Sequence, residues 1–431
     1  MQPVITGRNH AYHETKETPP SVPALSSSRR AVAVIASIFI MCCSGSVYAW
    51  SIFVAPLRAE FGLSSAQTQL IFGFIIASFT ITMLFVGRIE IRLGPKKTAA
   101  IGAVLFSAGY LLASFSGGSF LVILAGVSVI SGAGMGFGYV TVLTTLVKWF
   151  PGHKGLATGI AVAGFGSGAI LLSQVAQPIL KTGMAVTEIF RYIGILYGVL
   201  FLVCALFISA PVPTGSEDTE KPLGPGALAR DKRFWVLFYT FFAGSFAGLL
   251  LIGNLKPLGL HYGISESSAV LAIVLVSIGN AAGRIFWGQV YDKIGGKSSV
   301  GIGLALCSVF ILILAAGISS DIAFLLLCLV IGLTFGCNFV LYASEVSQIY
   351  GISQLGIVYP IVSIAYGISG IVGPLAGGYL FDITGQYYLS IVLSVAICLT
   401  GLVVHTLFID RAARPGRQPS FVPASQPAIH D

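Results

Sequence analysis

GRIEIRLGPKK, residues 87–97, and GQVYDKIGGK, residues 288–297, superimpose when Gly87 is set on Gly288. The same displacement of 201 residues sets Gly155 on Gly356, and Phe165 and Gly166 on Tyr366 and Gly367. One displacement recurring at separate places marks a duplicated unit. Each of the two stretches follows an apolar run long enough to cross a bilayer, so the unit that is duplicated is a membrane unit.

Outward from these stretches the pattern continues. The 431 residues are 55% hydrophobic and only 9% charged, against roughly 25% charged in a soluble domain. That balance excludes a soluble enzyme. Apolar runs of about 20 residues recur along the whole chain, giving twelve expected spans: 31–54, 66–87, 98–115, 119–147, 155–179, 189–210, 234–253, 267–290, 298–317, 321–344, 355–380 and 386–409. The expected fold is all-α, with twelve transmembrane helices in two pseudo-symmetric six-helix bundles, 31–210 and 234–410. PVPTGSEDTEKPLGPGALARDKR, 211–233, is the linker between them. Residues 1–30 and 411–431 read as polar tails, the first without the apolar core of a signal peptide.

The net charge of +8 orients the chain and does not imply a nucleic-acid partner. Arg29, Arg30, Arg88, Arg92, Lys96, Lys97, Lys148, Lys154, Lys293, Lys297 and the basic residues of the linker and tails fall on one side. The other side has only Arg58, Lys181, Arg191 and Lys256. By the positive-inside bias both termini are cytoplasmic, in a multi-pass protein of the plasma membrane. The seven cysteines all fall within spans as small apolar packing residues, with no disulfide or metal spacing. No cofactor is implied. No nucleophile elbow or ligand cluster supports an enzyme. Glycine clusters at 132–138, 164–168 and 367–378 allow helices to approach closely, either as sliding faces or as static packing.

Arg284 is the one Lys or Arg that falls on neither side. At 100° per residue it shares a face with Ile273, Ser277, Asn280, Ala281, Trp287 and Gly288, while Leu271, Leu275, Ile278, Ala282 and Phe286 lie opposite. A cation at such a depth costs roughly 2.5–3.5 kcal/mol, so it persists where an ion path or counter-ion justifies it. The competing reading is snorkelling to the nearer end of its span. Polar residues also recur on single faces as Ser44, Tyr48 and Ser51, as Asn338, Tyr342 and Glu345, and as Tyr359, Ser363 and Tyr366.

The loop GQVYDKIGGK, with Asp292, Lys293, Gly295 and Lys297, resembles the signature loop of the major facilitator superfamily, and GRIEIRLGPKK resembles its first-half copy. The resemblance implies that loop, with the neighbouring helix ends, forms a latch. Its expected members are Asp292, Lys293, Arg88, Arg92 and Glu345. Ile91 stands where the first copy would carry aspartate, and adjacent Glu90 is turned about 100° away.

KWFPGHKGLATGIAVAGFGSG, 148–168, and SGSVYAW, 44–50, resemble the monocarboxylate transporter and oxalate:formate antiporter branch, over about residues 31–410. The resemblance implies that Arg284 binds a substrate carboxylate and that Tyr48, Tyr139, Phe165, Phe335, Phe339 and Tyr359 surround the cavity. Asn280 and Ser363 complete the expected set. The implied partners are a small carboxylate and the bilayer, with the monomer as the working unit. Val362 stands where oxalate:formate antiporters carry a second cation, which favours a monocarboxylate. Asn280 stands where proton-coupled carriers have an aspartate, and an amide cannot titrate. That leaves Glu345 as the other acidic candidate. Exchange, facilitated transport, export of another solute and a non-transporting sensor all remain open on the sequence.

Overall fold

The computed structural model describes residues 24–150, 154–210 and 223–409, with the side chains of 24–27, 154–163, 225, 352, 353 and 356 left aside. Residues 1–23 of the first expected tail, the second expected tail and most of the expected linker lie outside those residues, while 24–30, expected in the tail, begin the first helix. Ten described helices are long and apolar enough to span a membrane. One of them, Ser65–Ser114, is two spans parted at Gly94, and Lys154–Lys181 supplies another. The described chain therefore has the twelve helices of a multi-pass membrane protein.

In order, the first is Ala24–Gly45, a 3₁₀ turn Ser46–Ala49 and Ser51–Phe61. The second and third are 65–93 and 95–114. The fourth is Phe120–Ile123, Leu124–Ser131 and Gly132–Trp149, and the fifth Lys154–Lys181. The sixth is Val186–Tyr192, Ile193–Tyr197 and Gly198–Phe207. The seventh to tenth are Lys232–His261, Glu266–Ile294, Gly296–Ala315 and Asp321–Tyr350. The eleventh joins Ile352–Val362 to Ile364–Thr384, and the twelfth is Tyr388–Phe408. The first, second, seventh, eighth, tenth and eleventh run past the hydropathy limits by a turn or more at one end, because helix continues into the polar border where a hydropathy reading stops.

The duplication is built into the backbone. Gly94 and Gly295, 201 residues apart, turn the chain after the second and eighth helices at φ +76° and +78°, a region that a Cβ disfavours. Ser64 and Ser265, again 201 apart, cap the second and eighth helices, their hydroxyls accepting from the backbone N–H of Gln67 and Ser268. One end of the molecule gathers the start of the first helix, the end of the twelfth and the two glycine-turned loops, and is called here the termini end. The opposite, far end gathers the starts of the second and eighth helices and the ends of the fifth and eleventh.

Between the sixth and seventh helices, Pro225–Arg230 forms a short helix inside the expected linker. Asp231 then caps the seventh helix through Arg233 N at 2.9 Å and accepts from the Tyr350 hydroxyl at 3.1 Å. Partial burial acts to raise the Asp231 carboxyl. The hydrogen bonds and charge of Arg233, with the Tyr350 hydroxyl, outweigh that and hold it below its ordinary value.

The glycine clusters divide by partner. Gly132, Gly134 and Gly136 pack against the second and third helices, Gly138 against the sixth and first, and Gly164 and Gly168 against the first, all within one bundle. Gly367, Gly370 and Gly378 instead meet Thr80, Ile76 and Ser65 of the second helix, across the two bundles. All seven cysteines are buried and free, as packing residues are.

Candidate functional site

The eighth helix presents the face its periodicity gave. Ile273, Ser277, Asn280, Arg284 and Trp287 are buried, while Leu271, Ile278 and Phe286 are exposed to the outside of the bundle. Trp287 braces this helix by donating to the Leu333 carbonyl of the tenth at 3.1 Å. Gly283 and Gly336 allow the two backbones to touch, which brings the ring of Phe339 under the arginine.

Arg284 is 8% exposed. Its Nε donates to Asn280 Oδ1, one turn earlier, at 3.0 Å, and its guanidinium carbon lies 4.3 Å from the centre of the Phe339 ring. Nη1 is buried without a hydrogen-bond partner. Among the described residues no Asp or Glu forms an ion pair with it. The bond to Asn280 folds the side chain back toward the far end, away from the end to which snorkelling would carry it. The helix continues ten residues further to Ile294, about 15 Å at 1.5 Å per residue. The guanidinium is an interior group.

Around it stands an aromatic wall drawn from both bundles. Tyr48 packs edge-on to Phe165 at 5.4 Å and to Phe335 at 6.4 Å. Tyr139 packs on Phe165 at 5.8 Å and on Phe79 at 5.2 Å. Phe335 meets Phe339 at 6.0 Å, and Phe339 meets Tyr366 at 5.1 Å. The hydroxyls of Tyr48 and Tyr366 join the first and eleventh helices at 2.8 Å. Tyr48, Tyr139, Tyr359 and Tyr366 all lie within electrostatic reach of Arg284.

Two cavities flank this group. Tyr48, Ile252, Leu255, Ser277 and Asn280 line the one toward the far end. Thr80, Met83, Tyr139, Tyr359, Ser363 and Tyr366 are among those lining the other.

The structure therefore brings together Arg284, Asn280, Tyr48, Tyr139, Tyr359, Phe165, Phe335 and Phe339. Ser363 lines the second cavity, but its hydroxyl donates to the Tyr359 carbonyl of its own helix at 2.8 Å. Phe79, Phe241 and Tyr366 belong to the same wall and were not in the expected set. Tyr366 was legible as part of a polar stripe, whereas a phenylalanine in a membrane helix carries no sequence signal of its own.

The other stripes separate. Ser44 donates to Ile40 O within its helix, and Ser51 Oγ is buried without a partner, so only Tyr48 reaches the wall. Tyr342 stacks on Phe241 of the seventh helix at 4.6 Å. Val362 is fully buried.

The expected latch residues Arg88, Arg92, Asp292 and Lys293 are exposed, and none of them forms an ion pair among the described residues. Ile91 is 86% exposed, while Glu90 turns into its own bundle. There Glu90 accepts from the Thr144 hydroxyl at 2.7 Å and lies 3.6 Å from Lys148. Glu90 is thus a second buried acid beside Glu345. The displacement of 201 carries Glu90 and Thr144 onto Tyr291 and Glu345, and that pair is also bonded, Tyr291 donating to Glu345 Oε1 at 3.0 Å. The same contact is kept in both bundles with the acid on opposite helices.

The profile of the Major Facilitator Superfamily matches residues 34–359 and, overlapping, 255–430. The oxalate:formate antiporter of Oxalobacter formigenes is 26% identical, over 92% of this chain and 96% of that protein. Monocarboxylate transporter 11 of Homo sapiens is 24% identical, over 73% and 69%. A crystal structure of a bacterial homolog to the human lysosomal transporter Spinster, inward-facing and unoccupied, superimposes with a TM-score of 0.70 at 15% identity. It covers 88% of this chain and 96% of that one.

Proposed function

The chain belongs to the Major Facilitator Superfamily, a family of transporters and not of enzymes, and from that premise we propose that it carries small organic anions, monocarboxylates foremost, by alternating access. The observation that carries the reading is the Arg284 guanidinium: interior, stacked on Phe339, with Nη1 unbonded and, among the described residues, no carboxylate paired to it. A buried cation without a fixed partner is costly, and a substrate carboxylate supplies the missing charge. Tyrosine hydroxyls offer donors to its second oxygen, and the aromatic rings replace its water. The named activities of the antiporter and of the human carrier agree with this chemistry.

Asn280 holds Nε and leaves Nη1 without a hydrogen-bond partner. With an amide there, coupling to protons through an Asp–Arg pair is absent and exchange becomes the natural mode. Substrate neutralises the arginine as the bundles close, and the empty carrier lacks that compensation. Fully buried Val362 leaves a dicarboxylate without a second cation near the eleventh helix, which places monocarboxylates ahead of a dicarboxylate/formate exchange.

The expected bundles, 31–210 and 234–410 about the linker 211–233, are the two moving bodies. The basic termini end faces the cytoplasm of the plasma membrane, and one chain suffices because both bundles of one chain enclose the site. Arg88, Arg92, Asp292 and Lys293 then latch the opposite conformation to the one described.

Counterflow in proteoliposomes, with lactate, pyruvate, formate, oxalate and an organic cation, with and without a proton gradient, tests the reading. Exchange of monocarboxylates is expected; transport of the cation alone would refute it.

A further inference from the structure

Among the described residues, Arg284 shares its burial with one other lysine or arginine, Lys256 of the seventh helix, which is 4% exposed. Its ammonium has three N–H donors. One goes to Gln177 Oε1 of the fifth helix at 3.0 Å and one to Glu266 Oε1 of the eighth at 3.1 Å, while the third takes no partner among the described residues. Glu266 also reaches Lys181 through Oε2 at 3.2 Å. Two lysines thus share one carboxylate, and one positive charge is left over. Asp321, the other acid beside the start of the eighth helix, accepts from Ser265 and Ser268 and not from either lysine.

Lys256 lies in line with the cavity that leads to Arg284. Glu266 and Arg284 are eighteen residues apart on the eighth helix, five turns at 3.6 residues per turn, and so point the same way. Ile273, Ser277 and Asn280, which line the far-end cavity, fall between them on that face. On the seventh helix Ile252 and Leu255 line the same cavity, and Lys256 follows one turn beyond Ile252 toward the far end. The cavity therefore has a buried cation at its outer end and, past Asn280, another at its inner end.

Between the two cations the lining is mostly aliphatic. A carboxylate entering there loses water before it comes within reach of Arg284, and that loss is unfavourable unless an opposite charge meets it. An ammonium with an uncommitted N–H at the outer end supplies that charge where the loss begins. About 27 Å of helix separates Glu266, and with it Lys256, from Arg284. No small acid can touch both cations at once, so Lys256 does not replace the second cation missing beside the eleventh helix.

We propose that Lys256 is an outer anion site, where a carboxylate arriving from the far end pairs before it passes to Arg284. Glu266 is the resident counter-ion: it holds the ammonium when no substrate is present, and the substrate takes its place. This inference rests on the carboxylate reading of the Arg284 site and adds to it the residue that the anion meets first.

Uptake of labelled lactate into right-side-out and inverted membrane vesicles, each preloaded with unlabelled lactate, gives the KM from the far end and from the termini end separately. Lys256→Gln is expected to raise the far-end KM at least about threefold, with smaller changes in maximal rate and in the KM from the termini end. Lys256→Arg keeps the charge and is expected to stay near the parent. Glu266→Gln removes the competing carboxylate and is expected to lower the far-end KM. A cluster that only held helices together would move Lys256→Gln and Glu266→Gln in the same direction. An unchanged far-end KM in Lys256→Gln, equal shifts at the two faces, or a far-end KM that Glu266→Gln leaves unchanged or raises overturns the inference. If Lys256→Gln does not reach the membrane, the sign of the Glu266→Gln effect decides. Lactate exchange by the parent with any of these results refutes the outer site alone, whereas a parent that exchanges no carboxylate refutes the Arg284 reading and the outer site with it.

Discussion

Replacing Arg284 with glutamine separates its cost to the fold from its use to a substrate. A carboxylate about 4 Å from the guanidinium gains roughly 4 kcal/mol at an effective dielectric of about 20. Part of that is offset by stripping water from the anion, leaving an expected loss of about 2–4 kcal/mol, or roughly 30- to 1,000-fold in Kd. The free protein behaves in the opposite sense. The variant sheds a buried cation worth roughly 2.5–3.5 kcal/mol on insertion scales, and gives up the contact at 4.3 Å with Phe339, worth about 1–2 kcal/mol. Arg284→Gln should therefore melt at or above the parent temperature while losing carboxylate binding. Arg284→Lys keeps the charge, loses the planar fork and falls between. Scintillation-proximity binding and thermal melting on the same detergent-purified samples give both readings. Binding of a monocarboxylate within threefold of the parent by a folded Arg284→Gln protein would refute the argument.

Three further outcomes follow from single contacts. Asn280→Asp puts an ionisable group on Arg284 Nε, so anion affinity should fall as pH rises through the titration of the new carboxyl and recover in acid; parent affinity, measured in parallel, should lack that step. Gly378→Ala, facing Ser65 O at 2.7 Å, should cost about 1–3 kcal/mol in a melting assay, whereas Gly166→Ala, at 3.4 Å from Ser277 O, should be nearly neutral. Asp231 is held below its ordinary value by Arg233 and Tyr350, so its stabilisation is present above the unfolded-chain value and disappears as pH falls through the lower folded one. Asp231→Asn should melt below the parent at pH 7, and the difference should vanish in strong acid.

What the sequence determined by itself was the membrane architecture and its duplication, because both are written in local terms. A run of apolar residues must cross a bilayer whatever its neighbours are, and Gly94 and Gly295 must turn whatever they face. The buried face of the eighth helix was equally legible, since 100° per residue fixes which side chains share a side. Only the tertiary structure decided which groups meet between helices. Ser363 lies on the expected face and still spends its hydroxyl on its own backbone. Phe79 and Phe241 gave no signal and stand in the wall. Glu90 was set aside for being one position off, and that one position turns it into its bundle to repeat the Tyr291–Glu345 contact with the acid exchanged. The contacts between the fifth and eighth helices at the far end were hidden for the same reason. Gln177, Lys181 and Glu266 are ordinary helix-end residues until distances of 2.8 and 3.2 Å join them. Periodicity reports the direction a side chain takes, and the partner it finds depends on helix pairing, which no single helix encodes.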